Sequence, residues 1–379
     1  MPVRILHLHS TFAPGGKEMR AVRLMNAWGP AAEHAVLSAV PDALGARALI
    51  APGVRVAFPG APSLEGRPAL GRYRQLARFM AGFDLVLSYN WGSMDGVMAR
   101  RLFAPVMKLP PLIHHEDGFN EDELVRQKSK RVHFRRAALG AAHALVVPSE
   151  RLERIARKSW GQSARRVRRI ANGIAVERFV GAPVPGAIPG FRREPGDVVI
   201  GTVAGLRAVK NLPRLVRALA ASRVKARLVI VGEGPERAAI VAEAERLGIG
   251  DRVLLPGFVA HPEQYVGHFD IFALSSDSEQ FPISLVEAMA ACLPTVSTEV
   301  GDVRAMVAAP NKPYVVPLED EDGLAAAIAR LAESRDLRHR IGAANRAHAE
   351  AHYREGAMIA AYRALYEEAM RRPGALANR

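Results

Sequence analysis

Short apolar runs alternate with helical patterns along the whole chain. In the first half, runs typical of buried strands cover residues 3–10, 34–40, 83–90, 110–117 and 143–149. The alternation begins again near residue 198, with runs at 198–205, 226–234, 252–258, 270–276, 294–301 and 314–318. Strands that alternate with helices of about 10–15 residues form parallel sheets with crossover helices. The pattern therefore predicts an α/β protein.

A stretch rich in proline and glycine at 181–196 separates the two alternating halves. We predict two doubly wound, Rossmann-like domains, residues 1–185 and 186–350, that face each other across a cleft. Residues 351–379 are expected to form a C-terminal helix that packs back on the N-terminal domain. A length of 379 residues agrees with two domains. In such sheets, ligands bind at the carboxyl ends of the strands.

Composition is that of a globular protein, with 49% apolar and 24% charged residues. The single cysteine, Cys292, excludes an intrachain disulfide framework. The amino-terminal stretch does not read as a signal peptide, and no 18 consecutive residues are apolar. We therefore expect a cytoplasmic protein.

The formal net charge of +14 is concentrated in one segment. Residues 126–169 hold 14 Lys and Arg against two acids, a net of +12. The helix-like stretch 123–140, which carries Lys130, Arg131, Arg135 and Arg136, is hypothesised to contact an anionic inner membrane surface peripherally. A solvated basic face is an equally simple interpretation. Nucleic-acid binding is not expected, since interleaved aromatics and a known binding module are missing.

A loop with two basic residues follows the first strand of the second half. The run at 198–203 is followed by Gly205, Arg207 and Lys210, and Pro213 suits the first turn of a helix. Arginine and lysine near a helix start can neutralise phosphate oxygens. The alternative is an ordinary turn with two exposed bases, but the position at the carboxyl end of a strand favours phosphate.

Two carboxylates, Glu279 and Glu287, stand eight residues apart around "QFPISLVE". Glu279 falls in a loop after a predicted strand, and Glu287 falls on the second turn of a helix that Pro282 helps to start. Carboxylates accept hydrogen bonds from hydroxyls, and exposed helix amides bind phosphate. The pair suits a nucleotide sugar, although a capping residue beside an ordinary surface glutamate has the same spacing.

Five ordered motifs, "TFAPGGKEMR", "RRVRRIANGIAVERF", "GTVAGLRAVKNLP", "RVLLPGFVAHPEQYVGHFDIFALSS" and "SEQFPISLVEAMAACLPTVSTEVGDVRAM", extend through most of the chain. Together they closely resemble retaining glycosyltransferase family 4, which has the two-domain GT-B fold and an E-x7-E signature. Two positions differ from the family pattern. Gly205 stands where relatives often carry arginine, and Cys292 stands where they usually carry glycine.

The resemblance implies a role for each matching residue. Glu287 would hold the donor ribose, and Glu279 would bind the donor sugar beside the reacting carbon. Lys210, with Arg207, would bind the diphosphate, and Gly15 and Gly16 would approach it from the other domain. The remaining donor contacts would be the backbone amides of Phe281, Pro282 and Ile283, the base-binding Phe258, and His114, for which the adjacent His115 is an alternative.

The implied reaction is transfer of a sugar, with retention of configuration, from a nucleotide-diphosphate sugar to a glycan or lipid-linked acceptor in cell-surface polysaccharide or glycolipid synthesis. No cofactor and no metal are expected. Asp320-Glu321-Asp322 fits a metal-binding DxD pattern but precedes a helical run, so it is predicted to cap that helix. A nucleotide-sugar epimerase of the same architecture is the alternative enzyme, and it would alter the donor without an acceptor.

Overall fold

The computed structural model describes residues 1–67, 69–119, 123 and 127–377. The chain forms two compact units, Met1–Asn172 with Ala357–Arg379, and Gly173–Gly356. The expected domain limits, 185/186 and 350/351, differ from these unit limits by 13 and 6 residues. Each unit is built on one parallel sheet with flanking helices. The predicted pair of Rossmann-like α/β domains is thereby confirmed.

Unit 1 carries a seven-stranded parallel sheet in the order β3-β2-β1-β4-β5-β6-β7. Its strands are β1 (Val3–His9), β2 (Ala32–Ser38), β3 (Arg55–Ala57), β4 (Leu85–Tyr89), β5 (Leu112–His115), β6 (Ala144–Val147) and β7 (Val167–Arg169). Its first helices are α1 (Gly16–Trp28), α2 (Leu70–Met80), α3 (Met94–Phe103), α4 (Ser129–Leu139) and α5 (Glu150–Lys158). The strand order reverses between β1 and β4, where a doubly wound sheet opens a ligand-binding crevice.

Unit 2 carries a six-stranded parallel sheet in the order β10-β9-β8-β11-β12-β13, with the reversal between β8 and β11. Its strands are β8 (Val198–Val203), β9 (Ala226–Val231), β10 (Val253–Gly257), β11 (Ile271–Leu274), β12 (Thr295–Thr298) and β13 (Val315–Val316). Its helices are α6 (Leu212–Ser222), α7 (Arg237–Arg246), α8 (Ile283–Ala290), α9 (Val303–Met306), α10 (Glu321–Glu333) and α11 (Arg335–His352).

The last helix, α12 (Glu355–Met370), packs on unit 1. Its residues Tyr362 and Tyr366 are buried in the same apolar cluster as Trp28 of α1, on one face of the first sheet. The other face packs against α2 to α5, with Trp160 among its largest buried side chains. Burial on both faces explains why the strands appear in the sequence as apolar runs without alternation.

Gly342 allows α11 to approach the turn that follows α8. A Cβ at this position would lie 1.9 Å from the carbonyl oxygen of Cys292. Gly342→Ala should therefore lower the free energy of unfolding by about 1–3 kcal/mol in urea denaturation, the usual penalty for overpacking. Gly71→Ala in α2 is the control, because a Cβ there meets open space. The control should raise stability by about 0.5–1 kcal/mol, and equal effects of both variants would contradict this account.

Candidate functional site

The loops after β8 and β11 meet at the reversal point of the second sheet. The first loop contains a short 3-10 helix, Ala208–Lys210, and the second runs from Ser275 to Pro282. The hydroxyl of Ser275 donates a 3.1 Å hydrogen bond to the carbonyl of Lys210. The two loops therefore lie together at the edge where a parallel sheet binds ligands.

Lys210 and Glu279 form an ion pair at this edge. The Nζ of Lys210 lies 2.5 Å from Oε1 of Glu279, and the hydroxyl of Ser276 donates to the same oxygen at 2.7 Å. Both side chains retain some exposure, 18% and 11%. They line a small pocket together with Ser276 and Ser284. The structure thus places a cation, a carboxylate and two hydroxyls around one accessible point.

A second set of contacts fixes the two loops to each other. Arg214 of α6 donates to Asp277 at 2.7 Å, and the side-chain amide of Asn211 donates to the same carboxylate at 3.1 and 3.2 Å. The backbone N–H of Asp277 donates to Val209 at 2.8 Å. Asn211 has a left-handed φ of 42° and also caps α6. These positioning residues were not recognised in the sequence, where "SSDSE" and "KNLPR" are the signals for them.

Helix α8 begins beside Glu279 and brings Glu287 to its second turn. Phe281 precedes the helix, Pro282 is its N-cap residue and Ile283 is its first residue. The expectation that the backbone amides of all three residues contact a ligand is wrong for Pro282, because proline has no N–H to donate. Glu287 is partly exposed, and burial together with its charge raises the pKa of the Tyr265 hydroxyl.

Two other candidate residues of unit 2 are exposed. Arg207 extends from the loop after β8, and its side chain makes no hydrogen bond or ion pair within the described part of the chain. Phe258 follows β10 and is 76% exposed, although its side chain is large and apolar. An exposed aromatic face and an uncommitted guanidinium at a sheet edge are both suited to ligand contact.

Gly15 and Gly16 of unit 1 stand at the start of α1, as the N-cap and first residue. The carboxylate of Glu18 turns back to this end of the helix, since a Cβ on Gly15 would lie 2.8 Å from Oε2 of Glu18. Lys17 pairs with the same carboxylate. In this conformation the positive end of α1 faces an acidic group of the chain itself.

His114 and His115 end strand β5 and are both buried. The Nδ1 of His114 lies 2.8 Å from the Ser88 hydroxyl, and its Nε2 lies 3.5 Å from Glu116. The Nε2 of His115 lies 3.0 Å from the Tyr366 hydroxyl on α12. Burial, with a smaller contribution from neighbouring charges, lowers the pKa of His115 to about 3. Both rings therefore lie in the interior of unit 1 in this conformation.

A buried polar cluster lies beside these histidines. Arg20 of α1 donates two hydrogen bonds to Asp117, and also donates to Asn172 at 3.0 Å. The N–H of Asp117 donates to Asn90 at 2.7 Å. Arg20 and Asn172 come from two of the quoted motifs, and Asn90 and Asp117 end predicted strand runs, but their mutual contacts, separated by up to 152 residues, require the fold.

The basic segment does not form one exposed face. Arg135 of α4 is completely buried, and it contacts Glu116 at 3.2 Å and Glu123 at 3.4 Å. Arg131 also pairs with Glu123, at 2.9 Å. The hypothesis that Arg135 lies on a membrane surface is therefore wrong. Residues 124–126, at the start of the predicted helical stretch, lie outside the described residues.

Other residues have structural roles. Asp320 caps α10 by accepting from the N–H of Gly323 at 2.7 Å, as the sequence predicts.

Cys292 has a left-handed φ of 60°, a conformation in which glycine is the usual residue. Among the described residues, no helix is both long and apolar enough to cross a membrane.

Two family models match the two halves of the chain. Residues 5–178 match "Glycosyltransferase Family 4", and residues 188–348 match "Glycosyl transferases group 1". The two parallel-sheet units and these matches place the chain in the glycosyltransferase families of the GT-B fold class. The chain belongs to the family 4 type, as the sequence motifs indicated.

Similar proteins share part of the sequence. The N-acetyl-alpha-D-glucosaminyl L-malate synthase of Bacillus anthracis is 28% identical over 171 residues, which are 45% of each chain. The match thus spans about half the length of this relative. The D-inositol 3-phosphate glycosyltransferase of Streptomyces scabiei is 26% identical over 79% of this chain and 74% of its own.

Solved structures share the fold over nearly the whole chain. HepE of Anabaena in complex with UDP has a TM-score of 0.78 at 20% identity, with 95% of this chain and 98% of that chain covered. Sucrose-phosphate synthase of Thermosynechococcus elongatus has a TM-score of 0.76 at 20% identity, with 96% and 98% covered.

Proposed function

We propose that this protein transfers a sugar, with retention of configuration, from a nucleotide-diphosphate sugar to a glycan or lipid-linked acceptor during cell-surface glycan synthesis. Family membership supports the reaction class. The observation that carries the proposal is the placement of Lys210 and Glu279 at the reversal point of the second sheet, 2.5 Å apart. A diphosphate and a hydroxyl-bearing sugar need these two kinds of group side by side.

The chemistry requires stabilisation of negative charge on the departing diphosphate. Lys210 and Arg207 are the cations for this role, and the N–H groups of Phe281 and Ile283 lie at the start of α8. Glu279, once its ion pair with Lys210 is broken, would accept hydrogen bonds from hydroxyls of the donor sugar. Glu287 would accept hydrogen bonds from the ribose hydroxyls, and Phe258 would stack on the base.

A thermal-shift screen with nucleoside diphosphates and nucleotide sugars tests donor binding. A ligand of the folded state at a hundredfold excess over Kd should raise Tm by roughly 5–10 °C for a unit of this size. Glu287→Ala should reduce this shift, whereas Glu245→Ala on the exposed side of α7 should leave it intact. The proposal fails if no nucleotide produces a shift, or if both variants reduce it equally.

A second assay on the same protein distinguishes sugar transfer from epimerisation of the donor. The stabilising nucleotide sugar is incubated alone and with glycan acceptors, and the sugar is analysed by NMR. Transfer requires an acceptor and yields a product with the anomeric configuration of the donor. A change in the donor sugar without any acceptor would instead identify an epimerase.

A further inference from the structure

A larger pocket of unit 2 lies at the opposite ends of its strands from the Lys210–Glu279 site. Its floor is formed where β8, β11 and β12 begin, by Val198, Phe269, Asp270, Leu293 and Pro294. The volume is about 490 Å³, which is within the range of small-molecule sites. The proposed reaction uses none of these residues.

Basic side chains dominate one wall of this pocket. Arg335, Arg338 and His339 come from the first turns of α11, and Arg193 comes from the segment before β8. Helix α11 has 18 residues, and Ser334 caps its start by accepting from the N–H of Leu337 at 3.3 Å. The positive end of a long helix and three guanidinium groups therefore converge on one space.

The acids of the pocket are already committed to other partners. Asp270 accepts two hydrogen bonds from Arg193, at 2.8 and 2.7 Å, and one from the N–H of Val199 at 2.8 Å. Asp197 accepts from Arg227 at 3.4 Å and from the N–H of Glu194 at 3.1 Å. These contacts neutralise Arg193 and Arg227, and among the described contacts neither carboxylate accepts a hydrogen bond from Arg335 or Arg338.

The two arginines of α11 that line the pocket donate side-chain hydrogen bonds only to uncharged groups among the described contacts. Arg338 donates to the carbonyls of Leu331 and Ala332, at 2.8 and 2.7 Å, and Arg335 donates to His339 at 3.3 Å. Burial lowers the pKa of Arg338, the charge of Asp270 raises it in part, and the charges of Arg193 and Arg335 lower it by smaller contributions. A bound anion would relieve this repulsion between like charges.

We propose that this pocket binds a small phosphorylated molecule. Arginine pairs bind phosphate oxygens through parallel N–H groups, and the apolar residues Phe269, Leu293 and Pro294 offer a surface to an attached carbon skeleton. The pocket is larger than phosphate alone requires. Because this pocket and the loop that carries Glu279 lie at opposite ends of β11, the ligand is assigned to a site separate from the candidate donor site.

Cys292 provides a local probe, because it is the only cysteine of the chain, is exposed and lines this pocket. The rate at which Cys292 reacts with N-ethylmaleimide is measured at increasing concentrations of glucose 6-phosphate and constant ionic strength. A saturating concentration of glucose 6-phosphate is expected to slow this labelling at least about threefold. Arg335→Ala should raise the required concentration about tenfold, the usual effect of removing one charge-assisted hydrogen bond.

Arg340→Ala is the matched control, since Arg340 is exposed on the same helix and does not line the pocket. It should retain the protection of wild type, as should Lys210→Ala in the candidate donor site. Potassium chloride that protects as well as glucose 6-phosphate would overturn the proposal. The proposal would also be overturned if Arg335→Ala and Arg340→Ala lost protection of Cys292 equally, or if Lys210→Ala were the one variant that lost it. Arg338→Gln provides a second variant, expected to weaken protection in the same direction.

Discussion

Lys210→Ala is expected to lower kcat/KM for the nucleotide-sugar donor by about 10²–10³, the usual loss when one preorganised charge is removed from a transition state. Lys210 is the only basic side chain that the described contacts join to Glu279. Under the proposed function, removing it would take positive charge from the diphosphate site and would leave the carboxylate of Glu279 without its cationic partner. Release of nucleoside diphosphate in the presence of acceptor measures the effect.

Lys225→Ala is the control for this variant, because Lys225 is an exposed lysine of the same unit before β9. It should change kcat/KM less than about twofold.

Glu279→Gln distinguishes the contribution of Glu279 from that of Lys210, since it keeps Lys210 and removes only the carboxylate charge. It should retain binding of a free nucleoside diphosphate and lose turnover. Normal activity of Lys210→Ala would show that this ion pair is not the donor site.

Arg135→Met is expected to lower the free energy of unfolding by about 3–5 kcal/mol, because removal of one partner leaves buried charges uncompensated. The guanidinium of Arg135 lies between the rings of Trp91 and Trp160, at 5.0 and 4.9 Å, and contacts the carboxylates of Glu116 and Glu123. All of these charged side chains are at most 1% exposed. Urea denaturation followed by tryptophan fluorescence measures the loss.

Arg136→Met, at the next position of α4, is the control. Arg136 is exposed, and within the described part of the chain its side chain donates to the carbonyl of Ser159, at 2.7 Å. Its replacement should change stability by less than about 0.5 kcal/mol, as is usual for surface sites. Similar losses in the two variants would contradict the buried role assigned to Arg135. Liposome binding lost in Arg135→Met would reflect unfolding and not a lost membrane contact.

The sheet edges show where prediction from sequence ends. Strands inside the two sheets were recognisable because burial on both faces selects continuous apolar runs. Strands β3 and β7, at the two edges of the first sheet, were missed. Their three-residue sequences, "RVA" and "VRR", contain exposed positions and basic residues, so they lack the apolar signal. Their pairing with β2 and β6 depends on neighbours already being in place.

The sequence by itself determined the class of fold, the family, the loops that carry Lys210 and Glu279, and the helix that carries Glu287, because strand periodicity and short motifs are local properties of the chain. The tertiary structure decided which charged side chains are buried and which carboxylates they pair with. Arg135 and Lys210 look alike in the sequence, as basic residues in or beside a helical stretch. Only packing buries the first against Glu116, and brings the second to a carboxylate 69 residues away. Charge pairing depends on distance in space, which the sequence does not encode locally.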